Sequence, residues 1–251
     1  MSEQFDLVII GAGRRLFHGP ARRRTRHEVA LVERDATVGG TCLNRGCIPS
    51  KALITATHTI DTVHRAAELG VNASVNGIDF GTLRDYRLRV VKTMVGGLAG
   101  LLAHRGITVF RANAAFHADE TAPATSDHIV HLVPSPDQSD ILTYHKADVP
   151  EPSGPTMDLT ATNIVIATGA KPRPLPGNPF AAPSSTPHSA GSQRISLFGG
   201  DYRAGAIALE FASMWNAAGS KVTLLIRKDR VLSAWDRRAG TTLTRDSNVM
   251  A

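Results

Sequence analysis

The 251-residue chain has two cysteines, Cys42 and Cys47, both in the stretch "VGGTCLNRGCIPSK" from Val38 to Lys51. Thiols this close could bind a metal, staple a loop, exchange electrons or simply pack. A structural zinc site needs about four ligands, yet no second Cys–Cys or His–His motif follows, and His18, His27, His58 and His64 are scattered without ligand spacing. The first residues, "MSEQFDLVIIGAG", put acidic residues before a short apolar run, which reads as a buried strand and not as a secretory leader. The expected compartment is therefore cytoplasmic, where ordinary thiols stay reduced and a staple is disfavoured. A redox-active pair or two inert buried thiols remain.

Positioning such a pair requires elements on both sides. "FDLVIIGAG" is a strand running into Gly11 and Gly13, where glycines allow a tight turn and let backbone N–H groups approach a pyrophosphate. "HEVALVE" is a second strand ending in Glu33, about twenty residues beyond the turn, where a carboxylate would meet a ribose hydroxyl. The glycine pattern is incomplete, because its sixth position is Leu16. Ala52 to Leu69 and Thr82 to His104 are expected as helices, followed by the strand "ITVF". From Ala118 to Pro155, strand-like "HIVHLV" among Asp, Pro and Ser predicts an excursion of strands and loops.

With the cysteine segment directly after the Glu33 strand, the chain resembles the N-terminal half of a flavoprotein disulfide reductase. "GGTCLNRGCIPSKAL" is most like the dihydrolipoamide dehydrogenase branch; glutathione reductases usually have a second lysine where this chain has Ser50. "IVIATGAKPRPLPG" (Ile164 to Gly177) and "AGAIALEFASMWNAAGSKVTLLIRKD" (Ala204 to Asp229) follow in the family's order. The resemblance implies an α/β architecture, with an FAD-binding Rossmann-like domain over residues 1–170 whose excursion spans about 115–160. It implies a linker at 171–182 and a partial NAD(P)-binding Rossmann-like domain at 183–251, containing the strand "KVTLLI".

Roles carried over by resemblance are as follows. Gly11, Ala12, Gly13, Glu33, Arg34, Gly39, Gly40 and Thr41 would hold the FAD pyrophosphate and ribose, with Ala114, Thr168 and Gly169 completing the pocket. Cys47 would face the flavin and Cys42 would exchange with the substrate disulfide. Lys51, one helical turn past Cys47, would bring its cation to the same site as a buried ammonium paired with Glu210. Gly205, Ala208 and Arg227 would bind NAD or NADP. Ile226, Arg227 and Lys228, where an acidic residue is expected, suit a 2′-phosphate. The implied substrate is a small-molecule or lipoyl-type disulfide, with an NADPH-dependent glutathione- or mycothione-reductase type as the alternative. The family's partner is a second subunit, through a C-terminal dimerisation domain that is expected to be missing here together with its His–Glu acid–base pair.

Three stretches depart from the family. "RRLFHGPARRRTR" (Arg14 to Arg26) replaces the glycines that open a helix, and Pro20 interrupts any helix there. "APSSTPHSAGSQRISLFGGDYR" stands where a loop and strand belong, and the sequence ends inside the second domain. Suitable codons read one base out of frame restore family-like residues in each window: "RRLFHGPA" becomes Gly-Gly-Tyr-Ser-Thr-Ala-Leu and "DSNVMA" becomes Glu-Leu-Lys-Arg-His-Gly. Frameshifts with truncation are the expected cause, and a decayed, non-enzymatic fragment or a basic binding protein is the second reading. Net charge is +6, which ordinarily suggests polyanion binding. Six arginines fall between Arg14 and Arg26 and only 5% of residues are aromatic. Neither a nucleic-acid nor a membrane partner is therefore expected.

Overall fold

In the computed structural model, the described residues are 2–13, 28–116, 128–144, 151–170, 205–224, 226 and 230–249. They divide into two compact units, one drawn from 1–49 with 89–169 and the other from 50–88 with 170–251.

The first unit is organised by alternation. Strand β1 (Ser2–Ile10) turns Val8 and Ile10 to one face and Ile9 to the other, and β2 (Val29–Glu33) does the same with Ala30 and Val32 against Leu31. Apolar residues on both faces are what a parallel strand covered from two sides requires. β1 pairs in parallel with β2 and with β7 (Met157–Ile166), and β2 pairs in parallel with β3 (Thr108–Ala115). The excursion supplies β4 (His128–Pro134), β5 (Leu142–Tyr144) and the two-residue β6 (Glu151–Pro152), all antiparallel to their neighbours. Since β4 joins β7 to β3 and β3 returns to β2, five strands close into a ring.

One core cluster uses the face carrying Val8, Ile10 and Val32 together with Phe110, Val130, Leu132, Ile141 and Leu159. Phe5 meets Phe110 edge to face, ring centroids 5.9 Å apart, the geometry that aromatic quadrupoles favour. The opposite face packs Ile9 and Leu31 against Val38 and against Leu98 and Leu102. The last two belong to helix α3 (Phe80–His104).

Two helices carry the cysteines. α1 (Gly40–Asn44) holds Cys42, and α2 (Cys47–Arg65) begins at Cys47, five residues before the expected start at Ala52. Pro49 does not prevent this, because in a first helical turn its missing N–H has no intrahelical acceptor to lose. A 3₁₀ turn over Ala66–Leu69 finishes the segment. α3 starts on an Asp79 cap: its Oδ1 accepts the Gly81 and Thr82 N–H groups at 2.9 and 3.1 Å, and its Oδ2 accepts the Thr82 hydroxyl at 2.6 Å.

In the second unit, α4 (Ala206–Ala217) follows Gly205, and α5 (Arg237–Val249) is capped by Asp236, whose Oδ1 accepts the Arg238 N–H at 2.8 Å. The strand expected in "KVTLLI" is corrected here: Lys221–Leu224 and Ile226 are not in a strand. Apolar β-branched residues do not make a strand alone; a strand needs a paired neighbour, and these residues have no ladder partner among the described residues.

Candidate functional site

The end of β1 is shaped by what cannot be there. Gly11 has φ +101°, and a Cβ on it would lie 2.4 Å from the Ala167 carbonyl oxygen. Gly40, at φ +57°, would place a Cβ 2.9 Å from the Gly13 Cα. The Gly11–Ala12–Gly13 turn, the Gly39–Gly40 turn and the Ala167–Thr168 segment thus meet backbone to backbone. Hydrogen bonds lock them: Gly11 N–H donates to the Val32 carbonyl (2.7 Å), Gly39 N–H to that of Ala12 (2.7 Å) and Ala167 N–H to that of Ile10 (2.8 Å). Among the described residues, a Cβ on Gly13 would meet nothing within 4 Å.

Glu33 caps the same turn. Its Oε2 accepts the Ala12 N–H at 2.8 Å and its Oε1 the Asp35 N–H at 2.9 Å. A carboxylate offers about four lone-pair positions, so two bonds leave acceptor capacity for ribose hydroxyls. Arg34 lies next to it, its carbonyl accepting the Ser135 hydroxyl at 2.8 Å. A cavity of about 200 Å³, walled by Val95, Leu102, Val109 and Arg111, opens beside Glu33 and Asp35. Close-approach glycines, a carboxylate at the second strand's end and this adjoining space fit a dinucleotide such as FAD. Ala114 lies on β3 opposite Leu132, and Thr168 and Gly169 follow β7, with Gly169 at φ +77°.

The thiol segment is held by residues that the sequence reading passed over. Asn44 Nδ2 donates to the carbonyls of Val38 (3.1 Å) and Gly40 (3.0 Å), while Asn44 Oδ1 accepts the Thr37 hydroxyl (2.9 Å). Arg45 pairs with Asp35 at 2.6 Å. Gly46 lets the chain turn close behind Cys42: a Cβ there would sit 3.1 Å from the Thr41 carbonyl oxygen and 3.7 Å from the Cys42 Cα. Asn at the end of α1 and Gly just before α2 are turn residues by chemistry, a signal present in "CLNRGC". Cys42 is half-buried, Cys47 is exposed, and the two are thiols without a bond between them.

In the second unit, Lys51 Nζ lies 2.6 Å from Glu210 Oε1, bringing together residues 159 apart in sequence. The ammonium is not buried as expected: the side chains are 55% and 37% exposed. Gly205 precedes α4 in an extended conformation and its carbonyl accepts the Leu209 N–H at 3.2 Å; Ala208 lies in that helix's first turn. Arg227, Lys228 and the window from Arg14 to Arg26 lie outside the described residues.

Strand, glycine turn, strand with terminal carboxylate and then a thiol pair on consecutive helices define a dinucleotide-binding α/β protein of redox type. Pyridine nucleotide-disulphide oxidoreductase is the family whose description matches, over residues 5–248. The chain belongs to that family, an enzyme family that is flavin- and pyridine-nucleotide-dependent. It is 30% identical to the dihydrolipoyl dehydrogenase of Chlamydia pneumoniae over 252 residues, covering 97% of this chain and 47% of that protein. With the dihydrolipoyl dehydrogenase of Bacillus subtilis it shares 27% identity over 247 residues, covering 96% of this chain and 46% of that one. The crystal structure of LpdA from Mycobacterium tuberculosis superposes with a TM-score of 0.68 at 20% identity, over 99% of this chain and 50% of that one. That likeness establishes the Rossmann-like fold. The chain spans about half the length of the curated relatives it matches. Among the described residues no helix is long and apolar enough to cross a membrane.

Proposed function

We infer that this chain is the FAD- and thiol-bearing part of a dihydrolipoyl dehydrogenase-like oxidoreductase, acting between a pyridine nucleotide and a lipoyl-type disulfide in the cytoplasm. The observation that carries this reading is the join of Gly40 to Gly13, because it ties the thiol helices directly to the nucleotide turn. FAD, when bound, supplies two-electron transfer between nicotinamide and thiols. The backbone at Gly11, Gly13 and Gly40 would admit its pyrophosphate, and Glu33 would accept its ribose hydroxyls. Cys42 and Cys47 would cycle between dithiol and disulfide; oxidation joins the two sulfurs and releases two protons and two electrons. Cys42 would exchange with the substrate disulfide, with Lys51 held by Glu210 one turn beyond Cys47. A second subunit and the family's remaining length would supply the acid–base pair.

The test is flavin absorbance per purified chain, for the sequence as given and for a version with residues 14–26 replaced by the frame-restored residues. A helix starting at the loop attracts phosphate through its free N–H groups and dipole, and Leu16, Gly19 and Pro20 do not encode one. The restored version is expected to hold near-stoichiometric FAD and the given sequence far less. Equal, full occupancy in both overturns the account of the 14–26 window; none in either overturns the flavin reading. Preference for the phosphorylated nicotinamide, suggested by Ile226, Arg227 and Lys228, is checked by comparing the two cofactors in the restored protein.

A further inference from the structure

The loop after β2 and the turn between the two cysteines are fastened to each other through one side chain. Arg45 closes α1: its N–H donates to the Thr41 carbonyl at 2.9 Å, and its Nη2 lies 2.6 Å from Asp35 Oδ2. Asp35 donates its own N–H to Glu33 Oε1 at 2.9 Å, and Glu33 Oε2 accepts the Ala12 N–H at 2.8 Å. Three contacts thus run in series from the nucleotide turn to a residue that stands between Cys42 and Cys47.

We propose that Asp35 and Arg45 are positioning residues for the thiol–disulfide step, holding the turn between the cysteines near the shape of the closed ring, with Glu33 as their anchor at the nucleotide end. The inference rests on the redox reading of the two thiols. Closing a ring costs the open loop its conformational freedom. Arg45, tied at its backbone to Thr41 and at its tip to Asp35, has given up part of that freedom before the sulfurs join. Cutting the tie returns freedom to the open dithiol and little to the closed ring, whose S–S bond constrains the same residues. The equilibrium then shifts toward the dithiol.

The size of the shift is bounded by exposure. The Arg45 and Asp35 side chains are 60% and 26% exposed, and solvent screening limits such a pair to about three- to fivefold in an equilibrium constant. Its pattern separates position from charge. A cation near thiols favours thiolate; Arg45→Ala removes a cation and Asp35→Ala releases one, so charge alone would drive the two variants in opposite directions. Loss of positioning drives both the same way.

The experiment equilibrates the full chain with reduced and oxidised glutathione, quenches with acid, alkylates and weighs the products. Cys42 and Cys47 are oxidised to one S–S bond, the S–S bond of oxidised glutathione breaks, and its two sulfurs take up the two protons as thiols. Asp35→Ala and Arg45→Ala are each expected to lower the equilibrium constant for ring formation about three- to fivefold, and the double variant no further than either alone. Arg45→Lys, which keeps the cation, is expected to stay within about twofold of the parent. Glu33→Ala should shift the constant in the same direction although it leaves the thiol segment itself unaltered; should it disturb folding, the Asp35 and Arg45 variants carry the test. Opposite shifts, additive losses, a lysine that restores nothing, or variants matching a parent that closes its ring each overturn the proposal alone. A parent that forms no intramolecular disulfide overturns it together with the redox reading.

Discussion

Lys51 and Glu210 meet at 2.6 Å, although the ammonium and the carboxylate are both substantially open to solvent. Exposed pairs of this kind contribute only about 0–1 kcal/mol after solvent screening. The contact therefore fixes where a cation sits and adds little to stability. Lys51→Ala and Glu210→Ala are each expected to move Tm by no more than about 4 °C, and 1 M salt should erase the difference between either variant and the parent. A double-mutant coupling well above about 1 kcal/mol would show the pair to be more deeply desolvated than this.

The glycines of the nucleotide turn separate two kinds of cost. Gly11→Ala meets both positive φ and a backbone carbonyl 2.4 Å away, whereas Gly70→Ala meets positive φ alone, with open space around it. Gly13→Ala meets neither among the described residues. Urea denaturation should rank them accordingly, with Gly11→Ala costing about 3 kcal/mol or more, Gly70→Ala about 1, and Gly13→Ala near zero. If Gly13 faces a pyrophosphate, Gly13→Ala should nonetheless lower flavin retention while leaving the urea midpoint in place.

Gly11 and Gly13 were legible in the sequence because tight turns after apolar strands are local events. The apolar runs in "FDLVIIG" and "HEVALVE" announced the strands for the same reason, and Glu33 followed from its distance to the turn. Asn44 and Gly46 were harder, since their importance lies in which carbonyls at and before α1 they meet. The closing of β4 onto both β7 and β3 had no local signal at all. "KVTLLI" failed in the other direction: its composition is that of a strand, but strands exist only in pairs. The Lys51–Glu210 contact was reachable through family resemblance alone, because no property of either residue points to the other.

Asp79 gives the molecule an acid-sensitive helix start. The Thr82 hydroxyl, then the Thr82 and Gly81 N–H groups, stabilise the charged carboxylate and lower its pKa from the usual value. A depressed pKa in the folded state means that the cap's contribution is present above the ordinary Asp range and is lost as pH falls through the folded-state value. Asp79→Ala should lower Tm at pH 6, and the gap between variant and parent should narrow on going toward pH 2. Asp79→Asn, which keeps an accepting oxygen, should retain most of the cap while losing its part of the pH dependence.

The thiols should respond as a pair. Mild oxidation, with a lipoyl-type disulfide as oxidant, is expected to reduce the titratable thiols from two to zero without changing the chain's mass on a non-reducing gel. Cys47→Ser should leave one thiol that instead forms mixed disulfides. Gly46→Ala should slow ring closure by crowding the Thr41 carbonyl, which a Cβ would approach to 3.1 Å. Two thiols that resist oxidation would indicate inert packing.

The strand ring also imposes an order of events during synthesis. β1 lies between β2 and β7, matched to the latter from Ser2 opposite Asp158 to Ile10 opposite Ile166. At about 5–20 residues per second, the ribosome finishes the first ten residues well before it reaches the second neighbour of that strand. Through that interval, an apolar strand has one edge open to any other chain. For this unit, the hazardous moment falls before it is whole, and nascent chains stopped short of residue 157 are the ones a chaperone would be expected to hold.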